Sequence, residues 1–444
     1  MSSYKLRWKR WGIKLSDGVK TEKLNRICLV LAAGMALMLA WNFFQGHILG
    51  GKFPHDSFLF FPQMRFSDFL DNYAGWRGTL EDPLSDYAAR YSVFGIAKAT
   101  DLVFFLFSLI SSDTLAFFLY EALFAAVLAL SALRFCSTGH NFADALRTIA
   151  LICCSYPFWF ALDRGNVEIY CFLAMLGFAV FYLKKRENLW TFFLGLAIAV
   201  KPFPVVFLAL PLGEKNYNAA AKVFLSTVAV SVAGVLLFST VHDFGLSHMF
   251  NYWEFFTKWA PRYNSKYAVH DGGIAYGHSL FGVLKILVYH WENTIFHYFG
   301  TVPEIMARLM KPYFMAACAA YLLAAAYVSK LETVLWKKMF ILVCCMNLLP
   351  FVAGDYKLLH FFIPLFLFVN SRERDADDGL YALLFGLILT PKNYFFHLFA
   401  MVPRDVSENV FINPLLMCYF CWRIIRQNAA ARALTEKTPS CKLT

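Results

Sequence analysis

Apolar blocks of about 15 to 23 residues recur along the chain, and short charged clusters separate them. A helix of about that length crosses a lipid bilayer. Of 444 residues, 59% are hydrophobic and only 16% are Asp, Glu, Lys or Arg, whereas roughly a quarter are charged in an ordinary soluble domain. A soluble fold cannot bury so much apolar surface, and only helices or closed barrels span membranes. The chain is therefore predicted to be an all-α, polytopic membrane protein.

The formal net charge of +11 is explained by basic residues that lie next to the predicted membrane spans. Lys and Arg occur in short groups beside the apolar blocks, where they anchor to a cytoplasmic leaflet. This arrangement favours membrane orientation over nucleic-acid binding. The 11 cysteines include no two pairs at zinc-ligand spacing, so we predict neither a metal site, a disulfide framework nor a cofactor.

The positive clusters also predict the topology. Residues 1–26 carry eight Lys or Arg residues and form a basic cytoplasmic N-terminus. A membrane domain is predicted over residues 27–428, with outer loops near 45–113 and 242–311, and a cytoplasmic tail over 429–444. About ten full spans are expected from block length. They lie near 27–44, 114–134, 147–161, 167–183, 219–241, 312–329, 338–352, 358–370, 379–396 and 410–424.

One apolar block, Leu189 to Leu212, has positive clusters at both ends and is predicted to enter the membrane and return. Its break is Lys201-Pro202-Phe203-Pro204, because proline removes a backbone donor and disfavours helix in the residue before it. Irregular backbone and a lysine at such depth are both costly unless they line a cavity. We expect two short helices that meet at Lys201; the alternative is one kinked helix with Lys201 reaching the interface.

Mixed acidic, basic and amide side chains concentrate on the predicted outer side. They are Arg65, Asp68, Asp71 and Arg77; Asp163, Arg164, Asn166 and Glu168; His242, Asp243, His248, Arg262, His270, Asp271 and His278; and Asp355, Lys357 and His360. The cytoplasmic side is mostly Lys and Arg. This asymmetry predicts a site at the outer boundary of the membrane, whereas a transporter favours key groups near the midplane and internal repeats.

Four local patterns resemble a known family. They are Arg65-Phe-Ser-Asp68-Phe-Leu-Asp71-Asn-Tyr73; Arg164-Gly165-Asn166-Val-Glu168 followed by Leu194 to Pro204; Gly277-His278-Ser279-Leu280-Phe281-Gly282; and Asp355-Tyr356-Lys357-Leu-Leu-His360 with Pro364. Over most of residues 27–370 the chain resembles glycosyltransferase family 87, the polyprenyl-phosphate-sugar-dependent enzymes of the C-type (GT-C) fold. The family often has Gln at Arg164 or Gly165, and an aromatic-His pair at Tyr356-Lys357.

The resemblance implies transfer of a sugar from a polyprenyl phosphate to an acceptor hydroxyl at the extracytoplasmic face, with inversion and without a metal. An acceptor hydroxyl needs a carboxylate that takes its proton, and Asp68 is the first choice for this general base. Asp71 lies three residues on, on the same face if the stretch is helical, and could orient Asp68 or the acceptor. The alternative is an exposed acidic pair in which Asp68 caps a helix after Ser67.

The phosphate of the leaving group requires cations. Candidates are Lys201 and Arg164, with Lys357 and Arg262 behind them. Candidates for sugar or acceptor binding are Asn166, Glu168, His278, Asp355 and His360. Plainer roles remain open: a surface pair of Asp163 with Arg164, helix capping by Asn166, and structural histidines.

Two other functions fit the same residues. A transporter or flippase for an anionic lipid or solute would use Lys201 and Arg164 to bind phosphate, and a lipid-linked glycan polymerase or ligase would use another donor. The expected partners of the leading hypothesis are the lipid-linked sugar, mannose or arabinose by analogy, and a glycolipid or glycan acceptor. A bacterial cytoplasmic (inner) membrane is expected because the chain is compact and carries no retention signal.

Overall fold

The computed structural model describes residues 17–59, 61–81, 98–139, 141–241, 261, 263–272, 274, 276–291, 299–371, 375–394, 406 and 408–437. Every regular element in these ranges is a helix. The α-helices are α1 (Asp17–Phe43), α2 (Ser67–Glu81), α3 (Lys98–Ser108), α4 (Asp113–Cys136), α5 (Phe142–Cys153), α6 (Tyr156–Arg164), α7 (Glu168–Leu183), α8 (Glu187–Val200), α9 (Ala209–Gly213), α10 (Tyr217–Val241), α11 (Leu280–His290), α12 (Val302–Lys330), α13 (Leu335–Leu348), α14 (Phe362–Val369), α15 (Asp378–Leu389) and α16 (Asn409–Lys437).

Shorter helical turns join several of these helices. They are a π-helical turn Phe44–Ile48, a 3₁₀ turn Pro62–Met64, a 3₁₀ helix Phe203–Leu208, a π-helical turn Asn264–Val269 and a 3₁₀ helix Asp355–Phe361. The first helix begins at Asp17, inside the segment predicted to be the cytoplasmic N-terminus, and α16 runs to Lys437, past residue 428. The predicted borders of the membrane domain therefore fall within helices.

Four described helices are long and apolar enough to cross a membrane, namely Gly18–Ile48, α4, Tyr217–Leu237 of α10, and α12. The pair α5 and α6, bent by 56°, makes a fifth if it counts as one span. The chain is thus a helical, polytopic membrane protein, but the expected ten full spans are not confirmed. Further apolar helices of 10–17 residues are too short to qualify. The break at Lys201 divides one apolar block, and the block 147–161 is divided where α5 ends at Cys153 and α6 begins at Tyr156.

The surface of the long helices agrees with a lipid environment. On α10, the large side chains of Phe224 and Leu225 are 65% and 63% exposed, and on α12 Leu322 and Leu323 are 65% and 73% exposed. Such surface is costly in water and favourable against lipid. The opposite pattern holds for α13 and α14, whose apolar side chains are almost all buried.

Ion pairs and polar contacts join the helices at one end of the bundle, which we call the basic end. Lys23 on α1 lies 3.0 Å from Asp378 on α15. The other members are Arg147 on α5 with Asn25 on α1, Lys222 with Glu187, Lys337 with Asp375, and Arg423 with Asp377. These contacts fix the ends of α1, α5, α8, α10, α13, α15 and α16 near one face.

The block broken at Lys201 folds back on itself, as the sequence predicts. α8 ends at Val200, Lys201 is extended (φ −143°, ψ 134°), and a 3₁₀ helix and α9 follow. Asn216 after α9 donates to Glu187 at the start of α8 over 3.1 Å. Both outer ends of this hairpin therefore lie at the basic end, and Lys201 lies at the opposite end, which we call the site end.

Candidate functional site

The segment before α2 is held against the end of α6. The Phe66 amide donates to the Asp163 carbonyl over 2.7 Å, and Arg65 Nε lies 3.3 Å from an Asp163 carboxylate oxygen. Phe66 has a positive φ of 59°, which costs a non-glycine residue roughly 1–3 kcal/mol and persists only when neighbouring contacts enforce it. The start of α2 is therefore fixed by α6.

Gly165 makes this close approach possible. It ends α6 in the left-handed conformation (φ 60°, ψ 31°) and its carbonyl accepts from the Tyr120 hydroxyl over 3.2 Å. A Cβ atom added to Gly165 would lie 2.8 Å from the Phe69 Cβ. Glycine is required here both by its backbone conformation and by the proximity of α2.

Asp68 lies in the first turn of α2 and its carboxylate faces the α6–α7 corner. The Arg164 guanidinium binds it through Nη2, with Nε at 3.3 Å from Oδ2, and the Asn166 amide donates to Oδ2 over 2.7 Å. The side chain of Asp68 remains 25% exposed. We call Asp68, Arg164 and Asn166 the carboxylate cluster. Two fixed donors orient this carboxylate, whose hydrogen bonds go to the corner instead of to the amides of its own helix.

Asp71 follows Asp68 on the same helix and is exposed. Partial burial and the neighbouring Asp68 carboxylate raise the pKa of Asp71, and the Arg164 guanidinium opposes this shift. The helix confirms the spacing that places both carboxylates on one face. Asp71 is thus a second, less constrained carboxylate beside the cluster.

Asn166 connects the carboxylate cluster to a buried pair. Its Oδ1 accepts from the Glu168 amide over 2.9 Å, so the predicted capping role is present at the start of α7. Glu168 Oε1 lies 2.8 Å from His360 Nε2, and both side chains are at most 1% exposed. Glu168 and His360, brought together from α7 and the 3₁₀ helix Asp355–Phe361, form the buried pair.

Two lysines lie near the buried pair, and the charges of both act on Glu168. The Lys357 ammonium is 3.2 Å from the centroid of the Phe203 ring and 3.4 Å from the Val352 carbonyl oxygen. The Lys201 ammonium makes no hydrogen bond or ion pair within the described part of the chain, and its side chain is half-buried. Glu168 is already bound to His360, so the Lys201 ammonium has no anionic partner of its own. A half-buried ammonium without such a partner is costly unless a bound anion neutralises it.

The ligand atoms of Glu168, Cys171 and His360 all lie within 4.8 Å of one another, close enough to hold a metal ion. The charges of Lys201 and Lys357 oppose the binding of a metal cation at this position. These two ammonium groups instead favour an anion such as a phosphate.

Asp355 and His278 lie in a second, fully buried network. Asp355 Oδ1 is 2.9 Å from His278 Nδ1, and Asp355 Oδ2 accepts from Tyr156 over 2.7 Å. The other His278 nitrogen is 2.7 Å from Asn347 Oδ1. Further members are Asn393, which donates to the Tyr156 hydroxyl, and Asn409, which donates to Asp355. We call these residues the Asp355 network.

The Asp355 network anchors the 3₁₀ helix that carries Lys357 and His360. An isolated bridge between Gly277 and Gly354 reinforces it, with the His278 amide donating to Ala353 and the Asp355 amide to Tyr276, both over 3.1 Å. His278 and Asp355 are 0% and 1% exposed. Their geometry is that of positioning residues.

The predicted site residues thus divide into the carboxylate cluster with Asp71, the buried pair with Lys201 and Lys357, and the Asp355 network with His278. Arg262 lies outside the described residues. Sequence reasoning missed Tyr156, Asn347, Asn393 and Asn409 of the network, which lie in apolar blocks or late in the chain. The signal in the sequence that could have found them was a single polar residue within an apolar block, which is costly in a membrane unless it has a partner.

The model of glycosyltransferase family 87 matches residues 100–284 of the chain. This stretch holds Arg164, Asn166, Glu168, Lys201 and His278, and it ends before the 3₁₀ helix with Lys357 and His360. The resemblance inferred from the motifs is therefore confirmed over residues 100–284, and the GT-C fold is consistent with it; the motifs around Asp68 and Asp355 lie outside the matched stretch. No curated protein and no solved structure matches the chain.

Proposed function

We propose that this membrane protein, which its match to glycosyltransferase family 87 indicates to be a glycosyltransferase, transfers a sugar from a polyprenyl phosphate to an acceptor hydroxyl. The observation that carries the proposal is the pairing of an oriented carboxylate with a free cation. Asp68 and Lys201 are linked through Asn166, which binds Asp68, and the adjacent Glu168, which lies in the field of Lys201.

Lys201 is the first choice for the donor phosphate. Its ammonium is without a partner in the described residues. Because the side chain is half-buried, water screens its charge less and its attraction for an anion is stronger. Lys357 lies close enough for its charge and that of Lys201 to act on each other. Arg164 is engaged by Asp68, so it contributes to the phosphate site only if that pairing loosens when the donor binds.

The proposed reaction is a single displacement at the anomeric carbon. The acceptor oxygen forms a bond to that carbon while the bond from the carbon to the phosphate oxygen breaks. The electron pair of the broken bond leaves with the phosphate, whose charge Lys201 stabilises. The acceptor proton passes to Asp68, and attack opposite the leaving phosphate inverts the configuration.

Arg164 and Asn166 hold the Asp68 carboxylate in one orientation. A base must be ionised to accept a proton, and a fixed orientation lowers the cost of reaching the transition state. Asp71 is the competing base, since partial burial and the Asp68 carboxylate raise its pKa. We assign the base to Asp68 because hydrogen bonds from Arg164 and Asn166 orient its carboxylate.

Other predicted contacts take graded roles. Asn166, the half-buried member of the carboxylate cluster, is assigned to sugar or acceptor binding. Glu168 and His360 are at most 1% exposed, so we assign them to holding Asn166 in place through the Glu168 amide. Asp355 and His278 are sealed inside the protein, so they act by holding the 3₁₀ helix in place.

Sidedness follows from the two ends of the bundle. The basic end carries the Lys and Arg clusters, which orient towards the cytoplasm. The site end then faces the outside, which for a bacterial cytoplasmic membrane is the face that a polyprenyl-linked sugar reaches after translocation. The acceptor is a glycolipid or glycan hydroxyl.

The test compares Asp68→Asn with Asp71→Asn in purified, monodisperse protein supplied with labelled polyprenyl-phosphate sugars. Asp68→Asn is expected to lower transfer per folded molecule by about 10²–10⁴-fold, because an amide cannot accept the proton. Asp113→Asn, an exposed acid in the first turn of α4, is the matched control and should transfer normally. Normal turnover in Asp68→Asn with loss in Asp71→Asn would reassign the base, and normal turnover in both would refute a base on α2.

A further inference from the structure

The side chain of Tyr356 lies near both the carboxylate cluster and the buried pair. Tyr356 is the second residue of the 3₁₀ helix Asp355–Phe361. The charges of Asp68, Arg164 and Glu168 all act on its hydroxyl. No other residue of that 3₁₀ helix has a described interaction with both Asp68 and Glu168.

The Tyr356 hydroxyl is available for a ligand. The side chain is half-buried, and the hydroxyl has no hydrogen-bond partner in the described part of the chain. It is also not sealed within the protein. A tyrosine hydroxyl in a protein interior usually has a partner, so this group is poised to donate to, or accept from, a molecule that enters the site.

Close packing fixes where this hydroxyl lies. A Cβ added to Gly354 would be 2.8 Å from the Tyr356 Cζ and 3.0 Å from its hydroxyl oxygen. The ring therefore rests on the backbone of Gly354, which the bridge to Gly277 holds in place. Phe160 lies beside it, with ring centroids 6.3 Å apart. Such preorganisation is what a binding residue needs.

The chemistry of transfer says what occupies this space. In an in-line displacement the acceptor oxygen and the phosphate oxygen lie on opposite sides of the anomeric carbon. If Asp68 binds the acceptor and Lys201 the phosphate, the transferred sugar must lie between them. The Tyr356 hydroxyl, on which the charges of both Asp68 and Glu168 act, is then placed to contact that sugar.

We infer that the Tyr356 hydroxyl hydrogen-bonds a ring hydroxyl of the sugar being transferred, and thereby acts as a specificity-determining residue of the donor site. The inference rests on the proposed function, since it requires a sugar donor bound between Asp68 and Lys201. It assigns a role to the first position of Tyr356-Lys357, where the family often has an aromatic residue followed by His.

The test combines Tyr356→Phe with donors that lack one hydroxyl. The wild type and the variant are each given a labelled polyprenyl-phosphate sugar, with mannose or arabinose as the sugar, and the corresponding series of monodeoxy donors. Tyr356→Phe is expected to lower kcat/KM for the full sugar by about tenfold. One particular monodeoxy donor should cost the wild type a similar factor and cost Tyr356→Phe nothing further, because each change removes the same hydrogen bond.

Controls separate this inference from folding and from the function itself. Tyr419→Phe, on an exposed part of α16, should leave kcat/KM unchanged for every donor. Gly354→Ala should displace the Tyr356 ring and lose the same discrimination among deoxy donors. Equal losses for wild type and Tyr356→Phe with every deoxy donor, or no loss in Tyr356→Phe, would overturn the inference while sugar transfer stands. A wild type that transfers no sugar would overturn the proposed function and this inference together.

Discussion

Gly165→Ala tests whether the contact between α2 and the α6–α7 corner positions Asp68. The new methyl group would lie 2.8 Å from the Phe69 Cβ and 3.4 Å from the Phe69 amide nitrogen. Contacts this close force α2 to move by several tenths of an ångström or more. Since Phe69 follows Asp68 directly, the carboxylate must shift relative to Arg164 and Asn166.

The expected magnitude has two parts. A non-glycine residue in the left-handed conformation costs about 1–2 kcal/mol, and overpacking against a buried phenylalanine adds about 1–3 kcal/mol. Displacement of a catalytic group by about 1 Å lowers turnover by about 10²-fold. Gly165→Ala should therefore lower both the unfolding free energy and the transfer rate per folded molecule.

Gly50→Ala is the matched control. Gly50 has nearly the same positive φ, 65° against 60°, but nothing lies within 4 Å of its added Cβ. It should show the backbone cost alone and normal turnover. The assay measures thermal unfolding in detergent and transfer per monodisperse molecule for both variants. Equal loss of stability with normal turnover in both would refute the claim that the Gly165 contact positions Asp68.

Three further outcomes follow from the structure. Lys201→Met should raise KM for the donor by about 10- to 100-fold with a smaller change in kcat, because it removes an ionic contact to the phosphate. Lys222→Met at the basic end should leave KM unchanged, and equal donor affinity in the wild type and both variants would contradict the phosphate site. Asp355→Asn should lower the unfolding free energy by about 1–3 kcal/mol, since it weakens a buried network with His278 and Tyr156, and an unchanged unfolding midpoint would argue against its anchoring role. The raised pKa of Asp71 means that the folded state holds its proton more tightly, so its contribution to stability is complete below the unfolded value of 3.8 and is lost as pH rises through the folded pKa. Asp71→Asn should therefore raise the unfolding midpoint at pH 7 relative to the wild type but not at pH 3.5, and a gain at pH 3.5 alone would reverse the sign.

Sequence reasoning succeeded where a local rule decides the structure. The two prolines after Lys201 break the helix because they remove backbone donors, and the hairpin follows from positive clusters at both of its ends. The spacing of Asp68 and Asp71 placed both on one face as soon as α2 proved helical. Asn166 was expected either to bind sugar hydroxyls or to cap a helix; its side chain accepts from the Glu168 amide at the start of α7 and also donates to Asp68.

The rest depends on contacts between distant parts of the chain. Asp355 pairs with His278 from 77 residues away and with Tyr156 from 199 residues away, and no sequence periodicity encodes such pairs. Arg164 was expected at a phosphate or in a surface pair with Asp163, whereas its guanidinium binds Asp68. The expected ten spans were not confirmed because the helices inside several apolar blocks are short: α5 and α6 divide the block 147–161, and the block 358–370 begins within the 3₁₀ helix Asp355–Phe361. Hydropathy alone treats each of these blocks as continuous.

The most direct test of the central claim supplies purified protein with a polyprenyl-phosphate sugar labelled in the sugar, together with a glycolipid extract as acceptor. Transfer is measured in detergent, and uptake is measured in sealed proteoliposomes. The account predicts that label moves to the acceptor in detergent, where no vesicle sidedness exists, and that Asp68→Asn and Lys201→Met both reduce this transfer. Uptake of label into sealed vesicles, with no transfer to any acceptor in either preparation, would contradict it.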